Sequence, residues 1–358
     1  MLDLRVEHST PAADNAAFSG EPAQVVLLVS RAGDTEVGLV RRRLEAAGVP
    51  VARLDAETAA SAGLIIDPQR RLARIDGRWI SPTVTWLRHF TPRAIPQGRG
   101  ALRRAYAADS WLALADQLDV VSAAMIAHRE PRLLAQLAAA RGCGVAVPTT
   151  IVTTKPAQVA ALVPGSKLVI KALHRHFVEA RPGLLHGVFP QVIDRRDLGR
   201  IPAGPPVVVQ EHIDHEAEIR VYHVHGQIAA AFVITKPDPA APWLRPELVT
   251  ARQIEPPDAI AAAASAVATA MSIDYGAFDF LVAEGEPVFL EVNLAGDWRW
   301  LETRVRKAPV TAAVATMLRR KHEQIAGVVQ TRPTQLDPVT FLSRRIAPTG
   351  VDKDERSL

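Results

Sequence analysis

The chain has one cysteine, Cys143, in 358 residues. A single thiol excludes an intramolecular disulfide and a cysteine-based zinc site, and it fits a reducing, cytoplasmic setting. Cys143 itself reads as a small packing group with no base partner. Long hydrophobic runs are also missing. The longest weakly polar stretch, "AIAAAASAVATAMSI" at 259–273, is too short and too alanine-rich to span a bilayer and reads as a helix. The first residues carry early acids and lack the apolar segment of a signal peptide. No basic block with interleaved aromatics occurs, so the formal charge of +4 argues for solubility and attraction to anionic substrates, with no nucleic-acid or membrane partner. No Ser-His-Asp or Cys-His set stands out, and there is no internal repeat.

What is present is globular: 48% hydrophobic and 22% charged residues, in a length suited to two or three subdomains. Residues 1–22 read as a mobile tail. "QVVLLVS", "DTEVGLVRRRLEAAG" and "VPVARLD" form a strand–helix–strand pattern that predicts a parallel sheet, so 23–128 is expected to be a small α/β domain. Residues 129–204 predict a small α+β lobe, and proline-rich "RIPAGPPVVVQEHI" a hinge into a further lobe, with 205–326 assigned to it. Residues 327–358 read as a polar tail. Two lobes behind an α/β domain suggest a nucleotide clamp.

The segment "FDFLVAEGEPVFLEVN" predicts a hairpin turning at "EGE". Constant-sum pairing then sets Asp279 opposite Glu291, with Asn293 on the same face and Phe289 sharing it. Like charges directly opposite destabilise a strand pair, and neighbouring carboxylates ionise together cheaply only beside a cation. An all-oxygen trio suits a hard ion such as Mg²⁺; the alternative is a hydrated strand edge. On other strands, Lys171 is embedded in apolar "KLVIKAL", where an unpaired ammonium is costly, unless it merely reaches out at a strand end. His174, Arg175 and His176 follow in a loop that either covers phosphates or is simply exposed. Gln210 and Glu211 fall at the hinge, where backbone groups could read an adenine edge. Arg220 offers a planar fork for phosphate or acyl-phosphate, or else pairs with Glu218 on its own face. Lys236 either meets a substrate carboxylate or is a solvated strand end.

These motifs resemble those of ATP-grasp enzymes, and most of all the graspetide synthetases, the microviridin-type peptide macrocyclases. The similarity runs through "LVRRRLEAAGVPVARLD", "TVTWLRHFTPRAIP", "VAVPTTIVTTKPAQVAAL", "VVVQEHIDHEAEIRVY" and "FDFLVAEGEPVFLEVNLAGDWRWLE", covering most of 24–325. The resemblance implies an ATP-grasp fold, two α+β lobes clamping ATP, behind a pre-ATP-grasp α/β domain. It implies Mg²⁺ on Asp279, Glu291 and Asn293, catalytic phosphate contacts from Lys171 and Arg220, an adenine pocket of Gln210, Glu211 and Ile213, and Glu218 toward the ribose. The expected activity is activation of a carboxylate as its acyl-phosphate, then ester or amide crosslinking within a precursor peptide bound by leader and core. Homodimers are a further implication. The chain departs from the usual Asn-Pro and Gly-Gln-Trp with Asn293-Leu294 and Gly296-Asp297-Trp298. A ligase joining a free amino acid or small acid to an amine or peptide, and an inactive nucleotide-binding scaffold, are the alternatives.

Overall fold

The computed structural model describes residues 21–95, 100–126, 131–173, 177–181 and 184–327. The tails expected at 1–22 and 327–358 fall almost wholly outside these residues, as do His174, Arg175 and His176. Apolar β1 (Ala23–Ser30) leads into α1 (Thr35–Ala46), which Asp34 caps by accepting from the Val37 amide at 3.0 Å, and then into β2 (Val51–Asp55). β3 (Ile65–Asp67), β4 (Leu72–Ile75) and β5 (Arg78–Leu87) follow, with Asp76 and Gly77 both left-handed in the tight β4–β5 turn. After α2 (Ala101–Ala115) comes β6 (Ala124–Ile126). The first sheet runs β2-β1-β5-β4-β3, with β6 beside β5, and β1 pairs in parallel with both β2 and β5. Pro82 has no amide to give to the ladder. The register slips beside it, and Thr83 Oγ1 donates to the Val25 carbonyl instead.

The second sheet is smaller. Helix α3 (Leu133–Gly142) precedes β7 (Thr150–Thr153), β8 (Lys167–Ala172), the two-stranded ribbon β9 (Phe177–Arg181) and β10 (Leu184–Gly187), β11 (Gln191–Asp194) and β12 (Val207–Glu211). Its order is β11-β8-β12-β7, all antiparallel. β12 is an apolar strand paired on both sides within this sheet, so the change of sheet comes after Glu211.

The third sheet is antiparallel, in the order β15-β14-β13-β16-β17. It comprises β13 (Ala217–Val224), β14 (Gln227–Thr235), β15 (Thr250–Ile254), β16 (Tyr275–Ala283) and β17 (Glu286–Asn293), with short α4 (Ala241–Leu244) before β15 and α5 (Asp258–Ala270) after it. Edge strand β17 is covered. The Gln136 amide on α3 donates to the Val292 carbonyl and accepts its N–H, each at 2.9 Å, and Phe289 N–H donates to Ala146 at 2.8 Å. The chain closes with α6 (Arg299–Val305) and α7 (Pro309–Ala326). Val310, Val314 and Leu318 of α7 share one buried cluster with Val26, Val84 and Trp86 of the first sheet and Tyr222 and Phe232 of the third. The first sheet is thus fastened to the third by a common core, as a sheet with two apolar faces requires. Among the described residues, no helix is long and apolar enough to cross a membrane.

Candidate active site

The β16–β17 hairpin turns on Glu284 and Gly285, both left-handed, φ 53° and 81°. From this two-residue turn the ladder runs Ala283↔Glu286 to Phe280↔Phe289, skips Leu290, and resumes with Asp279↔Glu291 and Ala277↔Asn293. The bulge re-aims the strand. Without it, Glu291 would oppose Phe278 and point to the other face. The acids therefore sit opposite each other as the alternation predicts, but Phe289 does not share their face. It is buried on the far side with Phe278, Phe280 and Val292.

Each acid has a cation. Arg220, paired with Asp279 across β13–β16, donates from Nε to Oδ1 at 2.7 Å and from Nη2 to Oδ2 at 2.8 Å. Burial works against the guanidinium's charge, yet Asp279 outweighs it and holds the pKa well above the ordinary arginine value. Lys171, only 8% exposed, reaches from β8 of the second sheet to Glu291 Oε2 on the third, at 3.5 Å. Asn293 Nδ2 points at both carboxylates, 3.4 Å from Asp279 and 3.3 Å from Glu291. The second and third sheets thus meet at Lys171, Arg220, Asp279, Glu291 and Asn293. Glu218 does not pair with Arg220 in a hydrogen bond. Its carboxylate accepts from Lys236 Nζ at 2.7 Å, whereas Arg220 turns to Asp279 across the strands. Gln210 is buried and donates to Thr150 Oγ1 at 2.8 Å, so its side chain is spent inside the second sheet. Glu211 accepts from the Thr149 amide at 3.1 Å, and the half-buried Ile213 offers its carbonyl to His215 Nδ1 at 2.9 Å.

Among the described residues, no group of three or more His, Cys, Asp or Glu side chains gathers as a metal site. The set here is instead two carboxylates and an amide, and it fits a hard divalent ion. The two carboxylates offer oxygens, Asp279 is buried, and the Asn293 amide adds a third oxygen once its nitrogen is turned from the acids.

Sequence reasoning missed a second network beside this one. Arg88, at the end of β5, is 1% exposed. Its Nε donates to Asp34 Oδ2 at 2.9 Å, Nη1 to the Gly296 carbonyl at 3.2 Å, and Nη2 to Asp297 Oδ1. The guanidinium lies 4.6 Å from the centre of the Trp298 ring and 5.7 Å from that of Trp86. Burial lowers its pKa, and the facing Asp34, Tyr275 and Asp297 outweigh burial and raise it above the usual value. Tyr275 donates to the Gly296 carbonyl at 2.6 Å and Tyr222 to the Asp297 carbonyl at 2.5 Å. Trp298 Nε1 donates to Thr311 Oγ1, whose own hydroxyl donates to Glu302 at 2.6 Å. The "GDW" turn is therefore clamped from four places just after Asn293: the end of β5, β13, β16 and α7. Gly296 is required there because an added Cβ would lie 2.4 Å from that of Ala277 and 3.1 Å from the Asn293 carbonyl. Gly296→Ala is expected to cost about 1–3 kcal/mol through forced backbone movement, checked by denaturant unfolding.

Among solved structures, the chain is similar to macrocyclase MdnC from Microcystis aeruginosa MRC bound with precursor peptide MdnA, at 21% identity over 82% of this chain and 99% of that one, TM-score 0.67. The chain has an ATP-grasp fold. The same architecture occurs in ATP-grasp ligase PsnB complexed with a phosphomimetic variant of its minimal precursor, Mg and ADP, at 19% identity over 84% and 99% of the two chains, TM-score 0.66. It occurs as well in a Chryseobacterium gregarium RiPP-associated ATP-grasp ligase in complex with ADP and a leader and core peptide, at 19% identity over 84% and 97%, TM-score 0.62. No family model and no curated protein matches the chain. The site described above lies where the second and third sheets of this ATP-grasp fold approach each other, at Lys171 and Glu291.

Proposed function

We propose that this chain is an ATP- and Mg²⁺-dependent ligase that activates a side-chain carboxylate of a ribosomally made precursor peptide and crosslinks it to a nucleophile of the same peptide. The observation that carries the reading is the meeting of Lys171, Arg220, Asp279, Glu291 and Asn293 between two sheets of the fold. Ligases of the same architecture bind precursor peptides with Mg and ADP, which is why a peptide is preferred as substrate. The division into an α/β domain and two lobes, and assembly as a homodimer, belong to the same proposal.

Asp279, Glu291 and Asn293 would hold Mg²⁺, which when bound would offset negative charge on the phosphates. Lys171 and Arg220 would bind the phosphoryl oxygens; Asp279 takes two of the guanidinium's five N–H donors, so Arg220 can grip a phosphate without leaving its strand partner. Gln210, Glu211 and Ile213 would border the adenine, chiefly through backbone groups because the Gln210 side chain is occupied, and Glu218 would face the ribose hydroxyls. The substrate carboxylate takes the terminal phosphoryl group from ATP, releasing ADP. A hydroxyl or amine then attacks the acyl carbon, its new bond replaces the C–O bond to phosphate, and phosphate departs with that electron pair. Lysine and arginine fixed at the phosphoryl position stabilise charge as it develops.

The test is incubation of the chain with ATP, Mg²⁺ and a Thr- and Asp/Glu-rich peptide encoded beside its gene, followed by mass spectrometry. Loss of about 18 Da per bond, one water, is the expected result. A mass gain would instead mean that a separate building block is joined. Hydroxylamine added to the reaction is expected to divert the acyl-phosphate to a hydroxamate, and ADP release with neither product would defeat the ligase reading.

A further inference from the structure

Asp297 touches both networks, yet the reaction as proposed leaves its carboxylate unused. Its carbonyl accepts from Tyr222, whose hydroxyl also lies against the Arg220 guanidinium, so the residue is one side chain away from the Arg220–Asp279 pair. Both hydrogen bonds that the carboxylate accepts, from Arg88 Nη2 and from His89 Nε2 at 2.9 Å, end on Oδ1. Among the described residues none ends on Oδ2. The Asp297 side chain is 56% exposed, whereas that of Arg88 is fully covered.

A mere counter-ion for Arg88 would look different. Asp34 already provides a buried carboxylate at 2.9 Å, and Glu36 lies 4.0 Å away, so Arg88 does not need a third. Asp279 meets Arg220 with both oxygens. Asp297 uses one and leaves the other outward. His89 meanwhile holds a left-handed backbone, φ 52°, in reaching Oδ1. Such strain in a residue with a side chain persists where surroundings impose it and is common at functional sites. Because a carboxylate can only accept, His89 carries its proton on Nε2, and the two donors together keep Asp297 ionised and oriented.

We propose that Oδ2 of Asp297 is the docking point for the incoming nucleophile, and that this nucleophile is a primary amine arriving as its ammonium, such as a lysine side chain. The inference rests on the ligase reading and deepens it. Three carboxylates, Asp34, Glu36 and Asp297, face Arg88, so the surroundings carry surplus negative charge, and only Asp297 presents it outward. A hydroxyl would fill one hydrogen bond and leave that charge in place, whereas an ammonium answers both. The product is then an amide. The ammonium gives one proton to water before attack, and the second leaves with the departing phosphate.

The experiment uses the full chain with ADP and Mg²⁺, and two probes, Nα-acetyl-lysine methylamide and its neutral counterpart Nα-acetyl-norleucine methylamide. Saturation-transfer NMR reads probe binding, and the fluorescence of a methylanthraniloyl-ADP reads nucleotide binding on the same samples. The lysine probe is expected to bind more tightly than the norleucine probe. Asp297→Asn, which keeps an oxygen for Arg88 and His89 and removes the charge, is expected to weaken the lysine probe about tenfold, the size of one charge-assisted hydrogen bond. Asp297→Glu is expected to retain most of the binding. Equal binding of the two probes, or an unchanged lysine-probe affinity in Asp297→Asn, overturns the amine assignment while nucleotide binding leaves the ligase reading standing. Failure of the unaltered chain to bind the nucleotide overturns both.

Discussion

Arg88→Met is expected to lower stability by about 3–5 kcal/mol, read as a shift in the urea midpoint. The arginine is fully covered and anchors groups from three parts of the chain: Asp34 before α1, Gly296 and Asp297 after β17, and the rings of Trp86 and Trp298. Methionine fills most of the volume and keeps contact with the rings, so the loss comes mainly from charge. Asp34 would remain buried, still accepting from Val37 and from Ser30 at 2.7 Å, but without its cation. A companion change tests that account. Asp34→Asn in the Arg88→Met background leaves an oxygen for the helix cap and removes the stranded charge, and it is expected to restore about 1–3 kcal/mol.

The same pair sets a pH dependence. Burial pushes the Asp34 carboxyl up, but Arg88 and the hydrogen bonds from Val37 and Ser30 outweigh it, so its pKa in the folded chain lies below the ordinary aspartate value. The unfolded chain therefore binds this proton first on acidification. Stability from the pair is fully present above about pH 4, the unfolded value, and is lost as pH falls through the lower folded value. In Arg88→Met the depressing charge is gone and burial remains, so protonation of Asp34 comes to favour the folded state. The stability gap between the two proteins is expected to narrow between pH 7 and pH 4.

The difference between what was legible and what was not follows the range of the interaction. β1–α1–β2 was readable because its signals are local: an apolar run, a helical period, a capping aspartate. The opposition of Asp279 and Glu291 was readable from alternation, though by two cancelling features. The real turn is one residue shorter than "EGE", and the bulge at Leu290 restores the register. The face of Phe289 came out inverted for that reason, since it lies between turn and bulge. Arg88 and Asp297 are 209 residues apart, and no period or spacing couples them. The only signal was an aspartate standing where the resembling sequences carry glutamine, and its meaning depends on a partner supplied by the first sheet. Proline marks where a strand is unfavourable, whereas the assignment of β12, and with it the change of sheet after Glu211, depends on pairing with β7 and β8.

Asp279→Asn and Glu291→Gln are both expected to reduce ATP turnover by at least about a hundredfold, but they should differ in the absence of nucleotide and metal. Asp279 holds Arg220 with two short hydrogen bonds, and an amide can accept only one of them in place of a charged pair. Asp279→Asn should therefore lose about 1.5–3 kcal/mol of stability, the range for a hydrogen bond to a charged group. Glu291 stands opposite another carboxylate, meets Lys171 at 3.5 Å and accepts from Asn293 Nδ2 at 3.3 Å. Its neutralisation relieves a like-charge contact and leaves an oxygen for its donors, so Glu291→Gln should lower the unfolding midpoint less than Asp279→Asn. Adding Mg²⁺ with ADP at about a hundred times its dissociation constant should stabilise the unaltered chain by about 2.7 kcal/mol, and either variant far less. Turnover unchanged in both variants would remove the metal assignment. Turnover lost only in Asp279→Asn, together with its stability, would mean that the hairpin acids serve the fold through Arg220 and that Glu291 has no part in binding. Loss in both, with more stability lost in Asp279→Asn, separates the two roles the pair holds: a scaffold for Arg220 when the site is free, and a seat for a divalent cation when nucleotide arrives.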